Sequence, residues 1–511
     1  MGAEQRTLRA VGTDHRTSAA SREPKAPDAP DLAVAIIGAG FAGLGMAIKL
    51  KEAGRHDFQI FEAASGLGGT WRDNTYPGCA CDIPSHLYSY SFEQKPDWTR
   101  TFGPWWEILE YLEHCADKYA VRPHIRFDSP VTAAAWDDDA RLWRITINDS
   151  EEITARILVA GTGPFQRPRY PDVPGLDSFE GPVMHSARWD HNVDLRGKDV
   201  AAIGTGASAI QFVPEVAKEA QTLHVFQRTP PWVLAKQDMP VSDAWRERFI
   251  RSPRLTSAVR NGLYLAAESM GAGFVVDPRL MRVREAFARR FIRKSIPDPA
   301  LREKVTPHYT MGCKRILYSN DYYPALCRDN VHLETDPIER ITHDSVVTRN
   351  GTSRKVDAIV LGTGFVVDEF LTHVSVRGRD GLALNDAWQK GAEAYYGITV
   401  ADFPNLFLLV GPNTGLGHNS IVFMIEAQVH YIMKCLDRMD RDGLTSLEVR
   451  ASEQRLFNER LMDRMGRMVW SSGCQSWYLD QEGRNFTIWP GFTTEYWLRT
   501  RRPDPRAFRG R

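Results

Sequence analysis

The 511-residue chain has no long hydrophobic run: no stretch approaches the roughly 20 apolar residues of a membrane helix, so no stable membrane insertion is expected. It has no excess charge of either sign, 64 basic residues standing against 64 acidic ones, so neither nucleic acid nor an anionic membrane is an expected partner. Its start lacks an apolar signal-peptide core. Cysteine is scarce: seven residues, an odd number in a large chain, fit reduced thiols in a cytoplasm. None of them forms a Cys-x-x-Cys pair, which argues against the dithiol chemistry of disulfide reductases. Cys79-Ala80-Cys81 has no second Cys or His pair at a useful spacing, so packing is expected there and no metal site. Residues 1–30 are polar and rich in Pro, Ala and charge, too poor in apolar surface to order themselves, and read as a disordered tail. The remainder is long enough for two or three domains with full cores.

What the chain does have is two glycine-rich fingerprints, each in the context that gives such a motif meaning. The apolar run Leu32–Ile37 reads as a buried parallel strand, Gly38-Ala39-Gly40-Phe41-Ala42-Gly43 as a tight turn, and residues 44–52 have helical periodicity. Glycines there let backbone approach a pyrophosphate, and the helix N-terminus favours its negative charge. A second strand, Phe58–Phe61, ends in Glu62, 24 residues past Gly38, where a carboxylate binds adenosine ribose hydroxyls; the alternative is a solvated glutamate. The second fingerprint follows strand Asp199–Ile203 as Gly204-Thr205-Gly206-Ala207-Ser208-Ala209, with alanine in the place that needs only close helix packing. The next strand, residues 223–226, leads to Gln227-Arg228-Thr229 with no acid at its end. Arginine pairs bidentately with a 2′-phosphate, so Arg228 and Thr229 argue for NADPH over NADH, unless Arg228 is an ordinary surface residue. Two nucleotide sites in one chain imply electron transfer between two cofactors. The expected fold class is α/β: two nested dinucleotide-binding (Rossmann-like) domains, the first of them discontinuous.

Two longer patterns are more specific. Gly68-Gly69-Thr70-Trp71 continues through Tyr76-Pro77-Gly78 to Asp82, and Phe179-Glu180-Gly181 continues through His185 to Trp189-Asp190 between the two fingerprints. G-G-x-W-x-x-x-x-Y-P-G-x-x-x-D and F-x-G-x-x-x-H-x-x-x-W-D resemble the signatures of Baeyer–Villiger monooxygenases, and the resemblance covers residues of about 31–500. It implies FAD at the first site, held by Gly38, Gly40, Phe41, Gly43, Glu62, Gly69, Thr70, Trp71, Asp82, Tyr88 and Val131. NADPH is implied at the second, held by Gly204, Thr205, Gly206, Ala207, Ser208, Arg228, Thr229, Lys314 and Trp477. Met311-Gly312-Cys313-Lys314-Arg315 matches the family's G-x-K-R, which makes Arg315 the catalytic arginine, positioned by Asp82. A guanidinium supplies a charge that no protein deprotonates, beside the C4a-peroxyflavin anion and the negative oxygen of the ketone adduct. By the same resemblance Phe179, Gly181, His185, Trp189 and Asp190 form an interdomain linker, with His185 supporting domain motion and not chemistry. His418 is open between a flavin contact and a helix cap, and Trp477 between a nicotinamide-side contact and core burial. The loop Gly483-Arg484-Asn485-Phe486-Thr487-Ile488-Trp489-Pro490-Gly491 departs from the shorter version of the better-known ketone oxidisers, which bears on pocket shape.

The expected domains are 31–164 for the first part of the FAD-binding domain and 165–330 for the NADPH-binding domain, with a helical insertion at about 241–310. Residues 331–511 form the second part of the FAD-binding domain and a C-terminal segment. The implied reaction takes a ketone and O2, with FAD and NADPH, to an ester or lactone, in a cytoplasmic monomer. Its rivals are a flavin monooxygenase that oxidises nitrogen or sulfur, and an NADPH-linked flavin reductase or oxidase that transfers no oxygen.

Overall fold

The computed structural model describes residues 29–511 except 368–370, 372–373, 475 and 481. The tail expected over 1–30 therefore lies almost wholly outside the described residues. In chain order the first part contains β1 (Leu32–Ile37), α1 (Phe41–Glu52), β2 (Phe58–Phe61), α2 (Thr70–Asp73), α3 (Trp105–Lys118), β3 (Ile125–Arg126), β4 (Val131–Asp137), β5 (Leu142–Ile147) and β6 (Glu151–Ala160). β1 is apolar along its whole length because both its faces are covered: Ala35 and Ile36 are fully buried, one on each side of the sheet. β5, by contrast, alternates Trp143, Ile145 and Ile147 inward with Arg144 and Thr146 outward.

The second part contains β7 (Val183–His185), β8 (Asp199–Ile203), α4 (Ala209–Glu219), β9 (Thr222–Phe226) and β10 (Val233–Leu234). Five helices follow, α5 (Asp243–Arg251), α6 (Pro253–Met270), α7 (Ala272–Val275), α8 (Met281–Ser295) and α9 (Pro299–Val305), over the stretch expected to be a helical insertion. The chain returns through β11 (Leu317–Tyr318), α10 (Tyr322–Leu326), β12 (Val331–Glu334), β13 (Ile338–Ile341), β14 (Ser345–Thr348), β15 (Ser353–Lys355) and β16 (Ala358–Leu361). The last part has β17 (Ser375–Arg377), α11 (Leu384–Ala387), β18 (Leu406–Leu408), α12 (Ile421–Asp442), β19 (Leu447–Val449), α13 (Ala451–Met465), α14 (Thr493–Thr500) and β20 (Phe508–Gly510).

Two sheets organise these elements. The first runs β17-β4-β5-β6-β1-β2-β3, with β18 also pairing β6; the second runs β12-β9-β8-β16-β7 and is parallel throughout. β17 and β18 arrive after the second sheet is complete, so the first domain is discontinuous, as expected. The boundary expected at 330 is corrected: β12 pairs with β9, and β16 with β8 and β7, so the second sheet extends to Leu361. Each of these strands is only four residues long, with the antiparallel β13-β14-β15 ribbon between them, so neither stood out as part of the earlier sheet.

The insertion is held to the last part by a buried polar cluster. Glu268 of α6 accepts from Thr494 N at 2.7 Å, and its other oxygen lies 3.2 Å from His418 Nε2. Burial alone would raise the Glu268 carboxyl, but the His418 and Thr494 bonds outweigh it and bring the group down to about 2. Ser420 caps α12 and Gly443 ends it in the left-handed region at φ +64°. No helix among the described residues is long and apolar enough to cross a membrane.

Candidate active site

Both fingerprints open onto one continuous cavity of about 2000 Å³. At the first, Gly38 has φ +95°, and a Cβ there would stand 2.8 Å from Gly161 O, so only glycine lets the turn close against the neighbouring strand. Gly40 precedes α1 and Ser208 precedes α4, and neither N-terminus receives a side-chain cap. Two uncapped helix ends facing a cavity have the donors and the dipole for phosphate groups. Gly69 closes on Gly40: a Cβ on Gly69 would lie 3.5 Å from Gly40 Cα, so the Gly68-to-Trp71 segment packs directly on the turn. Trp71 Nε1 donates to Tyr88 OH at 3.2 Å, and Phe41 meets Tyr88 edge-on at 5.2 Å.

Glu62 is buried and accepts from Ala39 N at 2.8 Å, which ties the end of β2 to the fingerprint turn. Its other oxygen accepts from Arg72 Nη1 at 2.9 Å. No motif in the sequence points to Arg72; its place depends on α2 folding back over the end of β2, which no local pattern encodes.

At the second fingerprint Gly204 has φ +107°, with Gly362 O only 2.4 Å from where a Cβ would be. Thr205 Oγ1 lies 3.4 Å from Thr229 O, joining the turn to the end of β9. Lys314 is lowered by burial and then by the charge of Arg228, so the two cations lie close enough to act on each other.

Arg315 and Asp82 meet in the wall of the same cavity. Arg315 Nε donates to Asp82 Oδ2 at 3.1 Å, and Nη2 donates to the same oxygen. Their side chains keep 32% and 26% of their surface open, so the pair faces the cavity and not the core. The Asp82 charge raises the Arg315 guanidinium further above an already high value. Burial would raise Asp82, but Arg315 outweighs it and holds the carboxyl below its usual range. The arginine's segment is pinned on both sides: Met311 N donates to Glu285 of α8 at 2.9 Å, and β11 pairs with β10.

The expectation of seven reduced thiols is corrected here. Cys313, beside Lys314, is joined by a disulfide to Cys474, 161 residues away. Only the fold brings the two together, so spacing gave no sign of it. The link holds the segment before Trp477 against the segment that carries Arg315. Trp477 is 38% exposed, lines the cavity and meets Phe165 edge-on at 6.1 Å, which removes the core-burial alternative.

Of the resemblance-derived nucleotide residues, all except Gly43 line the cavity; Gly43 packs beneath the turn, where a Cβ would stand 1.9 Å from Gly38 O. Of the five linker residues only Trp189 lines it. His185 ends edge strand β7 opposite Leu361, accepts from Ala187 N at 3.1 Å, and is pushed by burial down to about 4. A Cβ on Gly181 would stand 2.3 Å from Asp357 O, and Asp190 accepts from Asn192 N at 2.9 Å. His418 meets neither expectation: it does not line the cavity, Ser420 caps α12, and the ring sits against Glu268. Among the described residues no cluster of His, Cys, Asp and Glu is arranged to hold a metal ion.

The chain matches a family model described as pyridine nucleotide-disulphide oxidoreductase over residues 35–253. It is 49% identical to a Baeyer–Villiger monooxygenase of Pseudomonas aeruginosa, over 97% of this chain and 94% of the relative. A Baeyer–Villiger monooxygenase of Streptomyces coelicolor is 47% identical over 92% and 91% of the two chains. Among solved structures, oxidised steroid monooxygenase bound to NADP superposes with TM-score 0.83 at 32% identity, covering 93% of this chain and 99% of that one. OTEMO in complex with FAD and NADP gives TM-score 0.84 at 30% identity, over 94% and 100%.

Proposed function

The chain belongs to the Baeyer–Villiger monooxygenases, and from that premise we propose that Arg315 is its catalytic residue, held in place by Asp82. The protein is an FAD- and NADPH-dependent monooxygenase that inserts one atom of O2 next to a ketone carbonyl, the other atom leaving as water. Bound FAD, reduced by NADPH, supplies the electrons that activate O2. The uncapped N-terminus of α1, the Gly68-to-Trp71 segment and Glu62 fit FAD, with Arg72 orienting Glu62. The α4 N-terminus, Arg228 and Lys314 fit the pyrophosphate and 2′-phosphate of NADPH.

The observation that carries this reading is the Arg315–Asp82 pair, open to the cavity that both fingerprints line. Arg315 presents a permanent positive charge to the ketone oxygen as negative charge develops on it, without reorganising at that moment. Asp82 accepts two of its N–H groups and fixes the guanidinium plane. Leu416, Phe486 and Ile488 line the same cavity and favour an apolar ketone. A monomer in a cytoplasmic setting completes the proposal. The test is turnover of a hydrophobic ketone under isotopically heavy O2: one heavy atom in the ester for each NADPH consumed is the expected result. Stoichiometric peroxide without ester, across ketone classes, would overturn it.

Two variants probe the cofactor assignments. Arg228→Ala removes a charge-assisted contact and is expected to raise KM for NADPH about 10- to 100-fold while leaving KM for NADH unchanged. Equal effects on both nucleotides would place Arg228 away from the 2′-phosphate. Reducing the Cys313–Cys474 link, or Cys474→Ser, frees the segment before Trp477, which must then be ordered when NADPH binds. KM for NADPH is expected to rise about 2- to 10-fold, with dithiothreitol changing the wild type and not the variant.

A further inference from the structure

The helical insertion carries more than half of the exposed large apolar side chains among the described residues. They are not scattered. Leu280, just before α8, and Val283 and Phe287 within it follow one another at i, i+3 and i+7 along one outward face, with Phe287 64% exposed. Val276, 66% exposed, leads into that face, and Leu265 and Met270 of α6 are exposed as well. The opposite side of this unit is already occupied: Phe274, Met281 and Ala288 pack into the cluster that contains Met311 and Tyr478. The outward face therefore has no partner among the described residues.

The same segment is strongly basic. Residues 276–295 hold seven Arg and Lys against two acids, in a chain whose total charge is zero. Both acids are used internally, Asp277 accepting from Arg279 N and Glu285 from Met311 N. Arg279, Arg282, Arg290, Arg293 and Lys294 are exposed and have no carboxylate partner among the described residues.

We propose that this face of α8, with the turn that leads into it, docks on an anionic lipid surface. Helices that present apolar side chains flanked by Arg and Lys settle at the headgroup boundary, the apolar residues entering it and the cations pairing with lipid phosphates. The long basic side chains reach outward while their stems cover apolar surface. A second copy of the chain would set one excess of positive charge against another, and a nucleic acid would leave Val283 and Phe287 without reward. The balanced charge of the whole chain, which argued against an anionic membrane, averages over a cluster that lies on one face.

The test uses the full-length holoenzyme with phosphatidylcholine vesicles, with and without phosphatidylglycerol, at low and high salt. Binding is expected only with phosphatidylglycerol, and is expected to weaken as salt screens the cations. The pairs Val283→Glu with Phe287→Glu, and Arg290→Glu with Arg293→Glu, are each expected to lower bound protein about tenfold or more, with NADPH-driven flavin reduction unchanged in solution. Failure to bind anionic vesicles at low salt overturns the proposal, as does equal binding to neutral ones. Self-association of the wild type that the Val283→Glu and Phe287→Glu pair abolishes would assign the face to a second copy and equally overturn it.

Discussion

Arg315→Ala is expected to lose ester formation by a factor of about 10²–10³ or more while NADPH still reduces the bound flavin. The two effects separate because of where the arginine stands. Its partner is Asp82, it faces the cavity, and it lies outside both fingerprint turns, so its loss leaves the uncapped helix ends and Glu62 untouched. Electrons should therefore enter as before, and O2 should be consumed, with peroxide in place of ester. A structural explanation is addressed by Arg315→Lys. Truncation to alanine leaves the Asp82 carboxylate without its counter-ion, which carries its own penalty. Lysine keeps the positive charge but not the planar fork that gives Asp82 two N–H groups. If the fixed charge is what matters, lysine recovers part of the ester yield; if the fork geometry is, lysine fails like alanine while flavin reduction stays normal. Alanine retaining the wild-type ester yield per NADPH would remove Arg315 from the chemistry. The pair should place no step in the pH profile near neutrality. Asp82 is held below the ordinary carboxylate range, so it is ionised throughout, and Arg315 is held above its own ordinary value.

The sequence showed the parts of this site that depend on backbone, and not those that depend on distant side chains. Gly38 and Gly204 were legible because a close backbone approach excludes a side chain, and that exclusion leaves a spaced record. Glu62 was legible because β2 ends there. Arg72 was not, since what it does depends on α2 returning over Glu62, and neither was the Cys313–Cys474 link, which closes across 161 residues. His418 was adjacent in sequence to the helix it was expected to cap, but Ser420 had the shorter reach to the backbone, and the buried Glu268 took the imidazole. The second sheet extended beyond its expected end because β12 and β16 pair with strands more than 100 residues earlier: residues 357–361 read as a strand from their apolar run, but nothing local says which sheet such a strand joins. Charge totals hid the basic face of α8 for a related reason: a sum carries no position.

The third place of each fingerprint gives the other large effect, and it is asymmetric. Gly43→Ala is expected to yield a chain that folds less stably and binds FAD about 10- to 100-fold more weakly, from an overpacking cost of about 1–3 kcal/mol. A Cβ on Gly43 would stand 1.9 Å from Gly38 O and 3.4 Å from Ile36 Cγ2, so no rotamer relieves it; α1 must move off β1. That motion carries the N–H groups of the first turn away from the pyrophosphate they are placed to bind. The second fingerprint already has alanine at the equivalent place, and Ala209 packs against Gly362, just after β16, where a Cβ would lie 3.0 Å from that of Ala209. Ala209→Gly should then cost only the roughly 1 kcal/mol of a helical glycine and leave KM for NADPH nearly unchanged. Flavin absorbance per purified chain, with thermal melting, reads the first variant, and nucleotide kinetics reads the second. Full FAD occupancy in Gly43→Ala would mean that α1 has slack the geometry does not show; a large NADPH defect in Ala209→Gly would mean that α4 is positioned by its methyl group and not by the turn.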